Sequence, residues 1–168
     1  KIRPGFIPLG SLTGPMLETI RQLVDRKEAV TGVPSGFVDL DNLTAGFHPS
    51  EFIVVAARPS MGKTALALNM TQYIGLQTDY HTGFFSIEMS KEQVVLRLLC
   101  AEAKVDLKKA RSGFISGREF ERMRLAGETL SQARIYIDES AALTVMEMKA
   151  KCRRLKLEGH LDIVFVDY

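Results

Sequence analysis

Residues 51–75 read EFIVVAARPSMGKTALALNMTQYIG. A short apolar run, Phe52-Ile53-Val54-Val55-Ala56, stops at Arg58-Pro59, and Ser60-Met61-Gly62-Lys63-Thr64 then leads into a segment of helical period. Buried strand, tight turn and helix N-terminus, in that order, make the layout of a phosphate-binding loop. The first N–H groups of a helix have no partner inside it, and the helix dipole adds partial positive charge at the same end. Gly62 lets the backbone approach a phosphate with no Cβ in the way. Lys63 suits the β- and γ-phosphates and the Thr64 hydroxyl suits Mg²⁺. The full pattern, G-x-x-x-x-G-K-[ST], begins with glycine, where this chain has Ala57. The nucleotide-binding candidates are therefore Ala57, Arg58, Pro59, Ser60, Met61, Gly62, Lys63 and Thr64. The competing reading is an ordinary strand-to-helix turn with a solvated lysine.

The 168 residues suffice for one domain with a proper core, and 46% hydrophobic with 25% charged residues is the make-up of a soluble globular protein. A net charge of +2 gives no global basic field that demands nucleic acid. Cys100 and Cys152 lie far apart without a Cys or His partner at metal spacing, which predicts free thiols in a reducing compartment. No apolar run nears the ~20 residues that cross a bilayer, and no secretory signal is seen, so the expectation is cytoplasmic with no membrane partner.

Residues 1–11, with two prolines and two glycines, read as an extended connector. From Gly14 to about Val30 the pattern predicts an amphipathic helix, with Pro15 in its first turn and Met16, Leu17, Ile20, Leu23 and Val24 on one face. By pattern alone that stripe packs on its own domain. Residues 37–43 are expected to form one or two helical turns. His81–Ile87, Ile135–Ile137 and Leu161–Val166 read as further strands. Three helices lie between them: one capped by Ser90 and Gln93, one by Ser116 and Glu119, and one by Thr144 and Glu147. Residues 104–116 read as a basic loop with one helical turn. Strands separated by helical segments predict an α/β fold with a mostly parallel sheet flanked by helices. Near-continuous apolar strands predict burial of both sheet faces.

In such sheets ligands bind at the carboxyl ends of the strands, where the phosphate loop, Glu88, Asp138 and Asp167 all fall. Asp167 closes the apolar run Ile163–Val166, the layout of a Walker B strand whose aspartate holds Mg²⁺ together with Thr64. Alone it would read as a strand-end cap; beside a phosphate loop the metal role is the expectation. Glu88 is the candidate general base, since γ-phosphoryl transfer to water needs a carboxylate to position the water. An exposed turn glutamate fits the same residue equally well. Asp138 reads as a loop cap. Arg58 faces either nucleotide or a neighbouring subunit, and nothing in the sequence decides which. Basic clusters at Lys104–Arg111, Arg118–Arg124 and Lys149–Lys156 read as solvated helix faces, because no aromatic residues interleave as a stacking platform would.

TGVPSGFVDLDNLTAGF, AARPSMGKTALALNM, FFSIEMS, IYIDESAALT and DIVFVDY, taken together and in this order, closely resemble the C-terminal motor domain of the replicative DnaB-type helicases, which are RecA-like P-loop ATPases. Members of that family tolerate Ala at the position of Ala57. The resemblance implies that Lys63 and Thr64 bind the triphosphate and Mg²⁺, that Glu88 is the catalytic glutamate with Lys63 beside it, and that Asp167 is the Walker B aspartate. It implies that residues 1–30 are a connector and linker helix, and that residues 31–168 are the N-terminal part of a RecA-like ATPase domain. The linker helix then docks on the adjacent subunit of a homo-hexameric ring, which reverses the pattern-based expectation. ATP with Mg²⁺ is the implied cofactor. Single-stranded DNA at the replication fork, the primase and a helicase loader are the implied partners. DNA-binding loops and the arginine finger lie beyond the Walker B strand in the family, so the isolated piece is expected to be nearly inactive. Other RecA-like ATPases, a P-loop small-molecule kinase and a non-catalytic assembly module are the competing functions.

Overall fold

Thr82-Gly83-Phe84-Phe85-Ser86 forms the central strand, β1 (Thr82–Ser86), and all five of its residues are buried. The computed structural model describes residues 5–140 and 142–168; the part of the expected connector at residues 1–4 lies outside the described residues. β1 pairs in parallel with β2 (Ile135–Asp138) on one side and β3 (Ile163–Asp167) on the other, giving the order β2-β1-β3. Thr82 stands opposite both Ile135 and Ile163, and Ser86 stands opposite Asp167. The expected parallel α/β sheet is therefore present. Double-sided burial holds only for β1: Tyr136 of β2 and Val164 and Val166 of β3 are exposed.

Helix α1 (Gly10–Arg26) starts four residues before the expected Gly14 and ends before Val30. It has no side-chain cap; Leu9 already has helical dihedrals, and the turn is begun by backbone bonds to the Pro8 and Leu9 carbonyls. Pro15 consequently sits inside the helix rather than in its first turn. The stripe of Met16, Leu17, Ile20, Leu23 and Val24 is exposed, so α1 does not bury it on its own domain. α2 (Val38–Thr44) supplies the short helix expected near residues 37–43. The buried Asp41 carboxylate ties α2 to the turn before it, accepting the Ser35 N–H at 2.7 Å and the Gly36 N–H at 3.3 Å.

The apolar run Phe52–Ala56 departs from expectation. It is neither a strand nor buried, and Phe52 is 91% exposed. Among the described residues no backbone group from Phe52 to Ala57 has a main-chain partner. β-Branched composition reports fitness for a pleated surface, and a strand exists only where a partner completes its ladder.

After residues 57–62 come α3 (Lys63–Gln77), α4 (Lys91–Ala103), α5 (Leu107–Ser112), α6 (Gly117–Ser131) and α7 (Val145–Leu157). The crossover from β1 to β2 carries α4 to α6, and α7 joins β2 to β3. Leu68, Phe84, Val94 and Leu98 make the main core, knitting α3 and α4 to β1. The Phe84 and Phe165 rings stack with centroids 6.5 Å apart. Burying each such side chain stabilises by about 1.5–3 kcal/mol. Ala103, Val105 and Ala126 form a second cluster between α4 and α6. Gly75 has no Cβ because Ile135 fills that space, which lets α3 approach β2 closely.

The Ser116/Glu119 and Thr144/Glu147 capping boxes are both complete. Ser90 accepts from the Gln93 N–H without a return bond, so that cap is one-sided. α5 supplies the helical turn expected within residues 104–116, and Asp106 caps it, its carboxylate accepting the Lys109 N–H at 2.9 Å. No helix among the described residues is long and apolar enough to cross a membrane.

Candidate nucleotide-binding site

Two Pro-Ser turns bracket the unpaired run. In His48-Pro49-Ser50-Glu51 the Glu51 N–H bonds the His48 carbonyl at 3.3 Å, and Ser50 has φ +72°. In Arg58-Pro59-Ser60-Met61 the Met61 N–H bonds the Arg58 carbonyl at 3.3 Å, and Ser60 has φ +65°. Proline at the second position with a left-handed third residue is the pattern of a type II turn, for which glycine is the usual third residue. The second turn reverses the chain into the start of α3. Gly62 follows with φ +93° as the residue just before α3. A Cβ there would meet nothing within 4 Å, so its left-handed backbone, not crowding within the chain, calls for glycine. No side chain caps the start of α3, which leaves its first N–H groups available to an anion.

Lys63 and Thr64, the first two residues of α3, both reach the end of β3. The Thr64 hydroxyl donates to Asp167 Oδ2 at 2.7 Å. Lys63 Nζ lies 3.4 Å from Asp167 Oδ1 and donates to the Tyr168 carbonyl at 2.7 Å, with the Tyr168 ring centroid 5.3 Å away. Asp167 is 3% exposed, while Lys63 keeps a third of its side chain in solvent. A buried carboxylate thus faces an ammonium and a hydroxyl from the loop.

Thr64 and Asp167 present hydroxyl and carboxylate oxygens side by side, the hard donor set that Mg²⁺ prefers. Among the described residues no group of three or more His, Cys, Asp or Glu side chains makes a self-sufficient metal site. A Mg²⁺ ion held by one or two protein oxygens and completed by phosphate and water suits such a donor set.

The turn carrying Glu88 lies against the same strand end. The Ile87 N–H donates to the Asp167 carbonyl at 3.0 Å, and the Ser86 hydroxyl donates to the Met89 carbonyl at 2.8 Å. Glu88 itself is exposed. Lys63, Thr64 and Asp167 therefore touch, and the backbone next to Glu88 is bonded to Asp167. Ala57, Arg58, Pro59, Ser60 and Met61 are all exposed. Asp138 acts as a cap, its carboxylate accepting the Ser140 N–H at 3.1 Å and Lys151 Nζ at 2.5 Å.

Sequence reasoning missed one element of the site. The Glu139 carboxylate accepts the Lys91 N–H at 2.9 Å and pairs with Lys91 Nζ, crossing from the β2 end to the first residue of α4. No periodic or motif signal joins residues 48 apart. Asp106, three residues before Lys109, was findable as a cap from its spacing alone.

Residues 32–168 match the family model described as the DnaB-like helicase C-terminal domain. The chain is similar to the replicative DNA helicase DnaC of Bacillus subtilis, with 44% identity over 151 residues, 90% of this chain and 33% of that protein. It is 42% identical over the same length to the replicative DNA helicase DnaB of Geobacillus stearothermophilus. Among solved structures it is similar to one described as an ATPase domain, with a TM-score of 0.85 and 30% identity over 95% of this chain and 57% of that one. A second, titled as a DnaB-like replicative helicase and its interactions with primase, has a TM-score of 0.81 and 30% identity, covering 99% of this chain and 39% of that one. The chain spans about a third of the length of these curated relatives.

Proposed function

The chain belongs to the DnaB-like helicase C-terminal domain family, and from that we propose that it carries part of an ATP-hydrolysing motor that drives translocation on single-stranded DNA and unwinds duplex at the replication fork. The observation that carries the reading is the convergence of Lys63 and Thr64 on the buried Asp167. A lysine, a hydroxyl and a carboxylate meet there at the N-terminus of α3, where a triphosphate finds unpaired N–H donors.

In this reading the N–H groups at the start of α3 and the Lys63 ammonium hold the β- and γ-phosphates. Thr64 and Asp167 hold the Mg²⁺. When bound, Mg²⁺ neutralises charge on the phosphate oxygens. Glu88 orients the attacking water and takes its proton. Arg58, Ser60 and Met61 shape the mouth of the loop. The intact protein works as a homo-hexamer in which α1 docks on the neighbouring subunit. Its partners are DNA at the fork, a primase and a helicase loader, in the cytoplasm. The isolated 168-residue piece is nearly inactive because the neighbour's groups complete the site.

ATP hydrolysis by the full-length protein, with and without single-stranded DNA, tests this reading. Lys63→Ala is expected to abolish the stimulated rate, and Glu88→Gln to bind ATP but hydrolyse it at least ~10²-fold more slowly. Full activity in Lys63→Ala sinks the nucleotide assignment; an unchanged rate in Glu88→Gln removes Glu88 from its role.

A further inference from the structure

Glu88 is exposed, and among the described residues its carboxylate has no hydrogen-bond partner. Its position is therefore set by the backbone of the turn that bears it, residues 86–91. That turn is held at three points. Two lie on the strand side: the Ile87 N–H on the Asp167 carbonyl, and the Ser86 hydroxyl on the Met89 carbonyl. The third comes from a different element. Glu139, immediately after β2, accepts the Lys91 N–H through Oε2 at 2.9 Å and pairs with Lys91 Nζ through Oε1. One carboxylate thus fixes both the main chain and the side chain of the first residue of α4. It also satisfies an N–H that the helix cannot pair, at the end where the dipole favours negative charge.

Glu139 is itself well placed to act as a fixed point. Asp138 beside it is tied to α7 through Lys151 Nζ at 2.5 Å and to the Ser140 N–H at 3.1 Å. The path runs from α7, through the end of β2, to the start of α4 and the Glu88 turn. Among the described residues no other hydrogen bond joins the Glu88 turn to the β2–α7 loop. Lys91 also has Glu92 at 3.9 Å, but that carboxylate belongs to the same helix and cannot anchor it to another element.

We propose that Glu139 is a positioning residue for hydrolysis: by clamping Lys91 it holds the Glu88 carboxylate in register with the phosphate loop. This rests on the reading of Glu88 as the base. Displacing a catalytic group by a fraction of an ångström slows the chemical step and leaves nucleotide binding alone.

The test is steady-state ATP hydrolysis by the full-length protein with single-stranded DNA, together with binding of a fluorescent ATP analogue. Glu139→Ala is expected to lower kcat about tenfold, with KM and analogue binding changed less than about twofold. Glu139→Gln keeps an oxygen to accept the Lys91 N–H and is expected to recover most of the rate. In the Glu88→Gln background, Glu139→Ala is expected to cost nothing further, because its effect passes through Glu88. A wild-type kcat in Glu139→Ala overturns the proposal, and so does a Glu139→Gln rate no better than that of Glu139→Ala. The same loss from Glu139→Ala with and without Glu88→Gln overturns it as well. These results leave the Glu88 reading standing if Glu88→Gln is slow, whereas a wild-type rate in Glu88→Gln removes both.

Discussion

The Thr64 hydroxyl donates to the Asp167 carboxylate at 2.7 Å, joining the start of α3 to the end of β3 across 103 residues. Asp167→Asn separates the two properties of this contact. The amide oxygen still accepts the Thr64 hydroxyl, but the negative charge that faces Lys63, and that would hold Mg²⁺ in the proposed reading, is gone. Hydrolysis is expected to fall at least ~10²-fold, with the Mg²⁺ concentration for half-maximal rate raised. A Mg²⁺ titration of ATPase activity measures both. An unchanged titration would take the metal role from Asp167.

Ser50 and Ser60 occupy equivalent places in two Pro-Ser turns, with φ +72° and +65°. A non-glycine residue in the left-handed region costs roughly 1–2 kcal/mol, part of which glycine returns as unfolded-chain entropy. Ser50→Gly is therefore expected to stabilise by about 0.5–1 kcal/mol, read as a raised urea midpoint with unchanged slope. No gain, or a loss, would mean that the Ser50 hydroxyl contributes more than its backbone costs.

Acid should weaken the two completed capping boxes. The Ser116 N–H, with the Ser116 hydroxyl, holds the Glu119 carboxyl below the usual glutamate range. The Thr144 N–H and hydroxyl do the same for Glu147. Carboxyls with depressed folded values contribute stability that is present above about pH 4.3 and lost as pH falls through the folded values. The urea midpoint should change little through these two groups between about pH 7 and 5 and fall below about pH 4. In Glu119→Gln/Glu147→Gln the fall should be shallower. Parallel curves for variant and wild type would refute the assignment.

The turn into α3 was legible because its signal is local: Gly62, Lys63 and Thr64 are adjacent, and a helical pattern follows them. Asp167 was legible because an apolar run ended at a carboxylate. Its contact with Thr64 comes from the packing of α3 on β3, because Phe52–Ala56 joins no strand ladder. The fate of Phe52–Ala56 was not legible, since pairing depends on a neighbour that local composition does not encode. The start of α1 was misread because Pro15 fits a first turn well, whereas the observed start at Gly10 carries no capping side chain to mark it. Glu139 and Lys91 come together only when α4 and the end of β2 are both in place, and no spacing rule reaches across them.

Helix α1 presents Met16, Leu17, Ile20, Leu23 and Val24 to solvent. An apolar stripe of this kind on an otherwise polar helix calls for a covering partner. If a second copy covers it, replacing Leu17 and Ile20 by glutamate removes two buried side chains from that contact, each worth about 1.5–3 kcal/mol. Subunit affinity should then fall by about 10²–10⁴-fold. Because both side chains are exposed in the single chain, unfolding of the protomer should change by no more than about 0.5 kcal/mol. Mass photometry of the full-length Leu17→Glu/Ile20→Glu protein should find smaller species at concentrations where the wild type is assembled, with the urea midpoint of the dissociated protomer preserved. Wild-type mass at every dilution would show that this stripe holds no subunits together. A lowered urea midpoint would show instead that α1 packs on its own domain.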